Sequence, residues 1–181
     1  IRKEEFDISL RRVLLLLKQM AEDTHGSLKN NDVETLEQIP DIDINFDKFH
    51  DYCVRLLNTT NVKEPRKSNL IFSTLFMLEL VGDEFKNIAN HIINDFPKKE
   101  LKNMILTTGK IKDQINLFYE LFYKYDEEKI RKISEIDEQM YVSVLDFYKK
   151  ASEEEKEIMH HLRIVSRYIN SLLELRIEME F

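Results

Sequence analysis

The chain has 181 residues, 43% hydrophobic and 34% charged, with three glycines, three prolines, one cysteine and no tryptophan. That length can bury a sizeable core as one domain or two small ones, and so little Gly and Pro marks a chain helical almost throughout. A net charge of −7 argues against this segment gripping nucleic acid by itself, because phosphate neutralisation needs a basic face. Cys53 alone excludes an internal disulfide framework and fits a reducing cytoplasm. No apolar run nears the roughly 18 residues needed to span a bilayer, and no secretory leader pattern is visible. The chain opens on Ile1 rather than methionine, which suggests a removed upstream stretch. The short basic runs Arg11-Arg12, Lys63 to Lys67 and Lys98-Lys99 read as solvated helix ends rather than binding patches.

A first helix is expected from near Ile8 to Leu28, burying Val13, Leu14, Leu17, Met20, Ala21 and Thr24 and ending at Lys29-Asn30-Asn31-Asp32. A second starts after Asn31 or Asp32 with Val33, Leu36 and Ile39. Pro40 should then force a kink or restart at Asp41 to Asp43, before Phe46, Phe49, Cys53, Leu56 and Leu57 continue the stripe. Asn58 to Lys67 reads as a loop. The third helix runs from about Ser68 to just before Pro97, with Leu75, Leu78, Phe85, Ala89 and Ile92 on one face. Gly82 lies on that seam at a cost of about 1 kcal/mol against alanine, which suggests that a neighbouring backbone comes close.

Pro97 suits the first turn of a fourth helix that buries Leu101, Met104, Ile111, Ile115, Phe118 and Phe122. After a break at Tyr125-Asp126, a fifth uses Ile130, Ile133, Ile136, Met140, Val144 and Phe147. Ser152-Glu153-Glu154-Glu155 is a capping box that opens a sixth through Ile158, Leu162, Val165, Ile169 and Leu172. No strand alternation survives. Six helices in two sets of three suggest an internal duplication. Ile39-Pro-Asp-Ile-Asp-Ile-Asn-Phe lies on Ile133-Ser-Glu-Ile-Asp-Glu-Gln-Met, and Leu78-Glu-Leu-Val-Gly-Asp-Glu-Phe lies on Leu162-Arg-Ile-Val-Ser-Arg-Tyr-Ile. The apolar positions agree, but Glu79 meets Arg163 and Asp83 meets Arg167.

Acids four residues apart occur at Glu37/Asp41, Asp43/Asp47, Asp47/Asp51 and Glu79/Asp83, one helical turn above each other. A solvated helix flank is the ordinary meaning of such spacing. Asp43/Asp47 and Glu79/Asp83 stand apart because both border apolar seams of helices expected to be neighbours. Four converging carboxylates repel one another unless a cation neutralises them, and all-oxygen ligands suit Mg²⁺, Ca²⁺ or Mn²⁺, with iron or zinc also able to occupy such clusters. Glu157-Ile-Met-His160 is a single Glu-x-x-His. Ferritin-like di-iron bundles use that unit twice, so a di-metal oxidase has weak support. His25, His50 and His91 have no partner at ligand spacing, and His160-His161 should straddle the edge of the core. Cys53 reads as a buried filler rather than a nucleophile. There is no nucleophile elbow, phosphate-cradling glycine loop or zinc pattern.

Leu78-Glu-Leu-Val-Gly-Asp83, followed by Ile88-Ala-Asn90, resembles the Leu-Glu-Arg-Ile-Gly-Asp…Ile-Ala signature of the PhoU family. Asp43-Ile-Asn-Phe-Asp47, leading into Val54-Arg-Leu-Leu57, resembles that family's earlier Asp/Glu-x-x-x-Asp helix, and Asp7-Ile-Ser-Leu10 is similar to archaeal-type members. The resemblance implies an all-α fold of two antiparallel three-helix bundles, at residues 1–96 and 97–181. It implies a non-enzymatic, cytoplasmic regulator of phosphate uptake or phosphate-responsive transcription. Asp43, Asp47, Glu79 and Asp83 would then hold a divalent or trivalent metal such as Mg, Zn or Fe. Implied partners are the phosphate ABC transporter's ATPase, a sensor histidine kinase and a second copy in a homodimer. Archaeal-type members often carry an AbrB-like DNA-binding domain ahead of the helices. Departures are Leu80, where arginine is common, Val81 before Gly82, and Arg163 and Arg167 at the second repeat's acid positions. A metal-free helical adaptor remains the alternative.

Overall fold

Helix-forming sequence and well-placed caps divide the chain into seven helices in a computed structural model that describes residues 2–59, 64–95 and 102–181. These are α1 (Arg2–Asn30), α2 (Val33–Glu37), α3 (Ile39–Thr59), α4 (Pro65–Asp95), α5 (Lys102–Tyr123), α6 (Glu127–Tyr148) and α7 (Glu153–Glu180). The described residues contain no strand. The fold is all-α, as the sequence implied. Six long helices make two three-helix sets, and the five-residue α2 is an addition that the sequence had merged into its second helix. Within α1, α3 and α4 every pair is in contact, and the same holds for α5, α6 and α7. The sets then pack on each other, α4 along α7 in the most extensive contact and α1 along α5, so both feed one continuous core.

The apolar stripes are buried as their spacing required. Val13, Leu14, Leu17 and Met20 of α1 are buried, as are Leu75, Leu78, Phe85, Ala89 and Ile92 of α4 and Ile158, Leu162, Val165, Ile169 and Leu172 of α7. Each large side chain taken fully out of water contributes roughly 1.5–3 kcal/mol. Cys53 is fully buried, and burial pushes its thiol up to about 12, which suits a core filler and not a nucleophile.

Helix ends explain where the chain turns. At the end of α1, Asn31 takes φ 57°, and the Asp32 amide donates back to the Ser27 carbonyl at 2.9 Å, a Schellman closure in which a short amide side chain replaces glycine. Asp32 then caps α2, accepting from the Thr35 amide at 3.2 Å and the Thr35 hydroxyl at 2.6 Å. The restart caused by Pro40 falls at Gln38–Ile39, earlier than Asp41 to Asp43. The Gln38 carbonyl accepts from the amides of Asp41 and Ile42, both at 3.1 Å, so Pro40 sits in a first turn where its missing N–H costs nothing.

Two helices also start earlier than their apolar periodicity suggests. α1 begins at Arg2, with Glu4 and Glu5 favouring its positive end and Phe6 packed against the core. α4 begins at Pro65, a proline suited to a first helical position. Pro97 and Leu101, assigned to the start of the fourth expected helix, lie outside the described residues. Asp126 caps α6, and the Ser152/Glu155 capping box opens α7 with both reciprocal bonds made, at 2.8 and 3.3 Å.

The close neighbour at Gly82 is a side chain rather than a backbone. A Cβ there would lie 3.2 Å from Cε1 of the fully buried Phe46 ring. At Gly26, in the last turns of α1, an added Cβ meets nothing within 4 Å. Gly26→Ala should therefore stabilise the protein by about 0.4–1 kcal/mol through helix propensity alone. Gly82→Ala should destabilise it by about 1 kcal/mol, because crowding Phe46 outweighs the same propensity gain. Denaturant unfolding of both variants checks the contrast, and shifts of the same sign would contradict it.

Candidate functional site

Asp43 sits beside Ile42 and Phe46 on the α3 face that meets α4, and the neighbouring helix leaves it only 4% exposed. An ionised carboxylate so placed needs a cation. Lys86 of α4 supplies it. Its ammonium donates to Asp43 Oδ2 at 2.9 Å and to Asp83 Oδ1, one turn back on its own helix, at 3.1 Å. These hydrogen bonds, Asp43's above all, hold Lys86 above the usual lysine range against partial desolvation.

Asp47 feels the whole cluster. Partial burial pushes its carboxyl upward, the charge of Asp43 adds to this, Lys86 pulls the other way, and Asp83 and Glu79 contribute smaller repulsions. The four acids named from the sequence thus share one electrostatic neighbourhood, with Asp43 buried and Glu79 and Asp83 about half exposed at 45% and 51%. The cation among them in the described residues is the Lys86 ammonium, which sequence spacing did not reveal. A metal ion would compete with it for the same oxygens. Asp43 Oδ1 is buried without a hydrogen-bond partner, so the cluster retains one unused acceptor.

His50, one turn beyond Phe46, is a core histidine. Its Nε2–H donates to the Leu75 carbonyl of α4 at 3.0 Å, with Glu79 Oε2 at 3.9 Å behind it. His25 likewise spans α1 and α5, with Nδ1 3.2 Å from the Thr108 hydroxyl.

The second half solves the same problem with different residues. Asp137 of α6 stands where Asp43 stands in the first half when the two are laid in register. It accepts from Ser166 Oγ at 2.8 Å and from Arg167 Nη1 at 3.1 Å. Ser166 and Arg167 occupy the positions of Gly82 and Asp83. Gln114 of α5 closes the network, donating to Ser166 Oγ at 3.0 Å and to the Ile133 carbonyl at 3.2 Å. Arg163, at the position of Glu79, lies over the Tyr141 ring at 4.6 Å.

Neither a family model nor a curated protein matches the chain. Solved structures do. PhoU from Pseudomonas aeruginosa superposes with a TM-score of 0.80 over 99% of this chain and 97% of its own, at 15% identity. The phosphate transport system regulatory protein PhoU from Streptococcus pneumoniae superposes at 0.78 over 98% of this chain and 94% of its own, at 20% identity. The chain has the PhoU fold. Because the superposition takes in nearly every residue, both three-helix sets belong to that fold. Within it, this chain places a basic side chain against an aspartate of each half, Lys86 against the buried Asp43 and Arg167 against the partly buried Asp137.

Two features escaped sequence reasoning because they arise between helices. Lys86 reads as one more surface lysine until α3 is laid beside it. His91, without a partner along the chain, meets His161 of α7 with ring centroids 5.1 Å apart, while His160 faces solvent.

The raised Asp47 carboxyl has a stability consequence. Ionising it costs more in the folded chain than in the unfolded one. The penalty is absent below the unfolded pKa of about 3.9 and fully present once pH exceeds the folded value. Asp47→Asn should raise the melting temperature at pH 7 by about 1–3 °C, a modest figure because the side chain is largely exposed, and the gain should vanish near pH 3. Thermal melts across pH check this. A loss of stability at pH 7 would contradict it.

Proposed function

We propose that this chain is a non-enzymatic, cytoplasmic regulator of phosphate uptake that acts in phosphate-responsive signalling. The supporting observation is the PhoU fold, matched over 99% of the chain, together with a neighbour described as a phosphate transport system regulatory protein. The groups best suited to chemistry are engaged in holding the fold: Asp43 with Lys86, His50 with the Leu75 carbonyl, and Cys53 in the core. No described helix is long and apolar enough to cross a membrane.

The two halves, 1–96 and 97–181, are on this reading copies of one three-helix unit that have diverged at their acid positions. Lys86 is the resident cation of Asp43, Asp47, Glu79 and Asp83, and a divalent or trivalent metal enters only by displacing it. The unused acceptor at Asp43 Oδ1 supports such an exchange. For a partner, α4 and α7 present a groove of about 720 Å³ lined by Phe72, Phe76, Met77, Leu175 and Ile177, with Phe72 and Phe76 48% and 53% exposed. We assign the partner to this groove because it exposes two large aromatic rings side by side.

The test is binding of the purified chain to the ATPase of the phosphate ABC transporter and to the cytoplasmic part of the sensor histidine kinase from the same genome. One of the two should bind, and Phe76→Glu should weaken that complex at least tenfold. Failure to bind either would overturn the proposal.

A further inference from the structure

The face of α4 opposite the acid cluster carries a second constellation. Glu157 and His161 lie one turn apart on α7, so their side chains leave the helix on the same side. His91 reaches them from α4. One ligand atom from each of the three lies within 4.8 Å of the other two, a grouping of His, Cys, Asp or Glu that recurs nowhere else among the described residues. We propose that His91, Glu157 and His161 form a zinc site at the α4–α7 contact, with Glu84 as the group that orients His161.

The chemistry of His161 carries the proposal. Its Nδ1 lies 2.5 Å from Glu84 Oε2, and both side chains are largely buried, at 16% and 15% exposure. An ionised carboxylate can only accept, so Nδ1 holds the proton and, in the neutral ring, the lone pair is on Nε2. A histidine whose second nitrogen is tied to a carboxylate has its tautomer and ring direction fixed and its basicity raised, as metal-binding histidines require. Two imidazoles and one carboxylate with an open fourth position make a set that zinc takes well. The imidazole nitrogens favour zinc over Mg²⁺ or Ca²⁺, which prefer oxygen.

A purely structural ion pair between Glu84 and His161 accounts for one histidine only. It gives no role to the His91 ring, 5.1 Å from His161, or to Glu157 on the exposed side. A shared cation unites all three. Zinc bonds of roughly 2.0–2.2 Å would hold neighbouring ligand atoms about 3.3–3.5 Å apart. Exposed Glu157 and half-buried His91 can close that distance by side-chain rotation while Glu84 holds His161 in place. The site is independent of the acid cluster and of the regulatory reading: Asp83 and Lys86 face α3, whereas Glu84 and His91 face α7.

Chelator-treated full chain, titrated with Zn²⁺ in a calorimeter and with Co²⁺ in an absorption spectrometer, tests the site. The wild type should take up one ion per chain here, with the visible bands of low-coordinate Co²⁺. His91→Ala and His161→Ala should each weaken binding at least 100-fold, and Glu157→Gln, at an exposed position that leaves folding undisturbed, at least tenfold. Glu84→Gln should weaken binding roughly 10- to 100-fold with unchanged stoichiometry, because it acts through His161. His160→Ala, outside the set, should bind as the wild type does. Absence of zinc uptake by the wild type, or wild-type affinity in Glu157→Gln and His91→Ala, would overturn the site. Wild-type affinity in Glu84→Gln would overturn the role given to Glu84.

Discussion

A carboxylate buried between two helices has to be neutralised, and the contact between α3 and α4 is built around that requirement. Asp43 is 4% exposed, and an unpaired charge so placed costs several kcal/mol. Lys86 meets the need from the partner helix, and Asp83 holds the ammonium from the other side. Because Lys86 is 37% exposed, the pair contributes roughly 1–3 kcal/mol after solvent screening rather than the full value of a buried pair. Its larger effect is on register. A slip of α3 against α4 would strand Asp43 and move Phe46 off Gly82, so charge and packing select the same alignment.

The second half obeys the same requirement with other donors. Asp137 is satisfied by Ser166 and Arg167, and Gln114 extends the bonds to a third helix. An acid on the middle helix facing the last helix is thus common to both halves, while the cation comes from different positions, Lys86 three residues beyond Asp83 and Arg167 at the equivalent of Asp83 itself. With α7 lying along α4, the last helices of the two halves form the shared wall of the molecule. One face of α4 therefore meets the acids of α3, and the other meets His161 of α7.

Much of this was legible in the sequence. Three- and four-residue apolar spacing named the buried faces of all six long helices, and Ser152/Glu155 marked the start of α7. The all-helical class followed from composition alone. Boundaries set by tertiary packing were less visible. α1 extends back to Arg2 because Phe6 finds the core, and α2 separates from α3 because the Gln38 carbonyl restarts the helix ahead of Pro40. Spacing identified Asp43, Asp47, Glu79 and Asp83 as acids near a common seam. It could not show that Lys86 lies among them, because a lysine three residues from an aspartate is ordinary on any helix and only the neighbouring helix gives it meaning. His91 was opaque for the same reason, since its partner is 70 residues away along the chain.

The central claim is that an internal ammonium, and not a bound metal, neutralises the acids of the first half. Thermal melts of the wild type and Lys86→Met, in chelator and with added Mg²⁺, test it directly, and Mg²⁺ leaves an imidazole site unengaged. In chelator, Lys86→Met should melt about 3–10 °C below the wild type. Added Mg²⁺ should recover part of that loss in the variant while leaving the wild type where it was. A variant that melts with the wild type in chelator, or a wild type raised by Mg²⁺ as much as the variant, would contradict the claim.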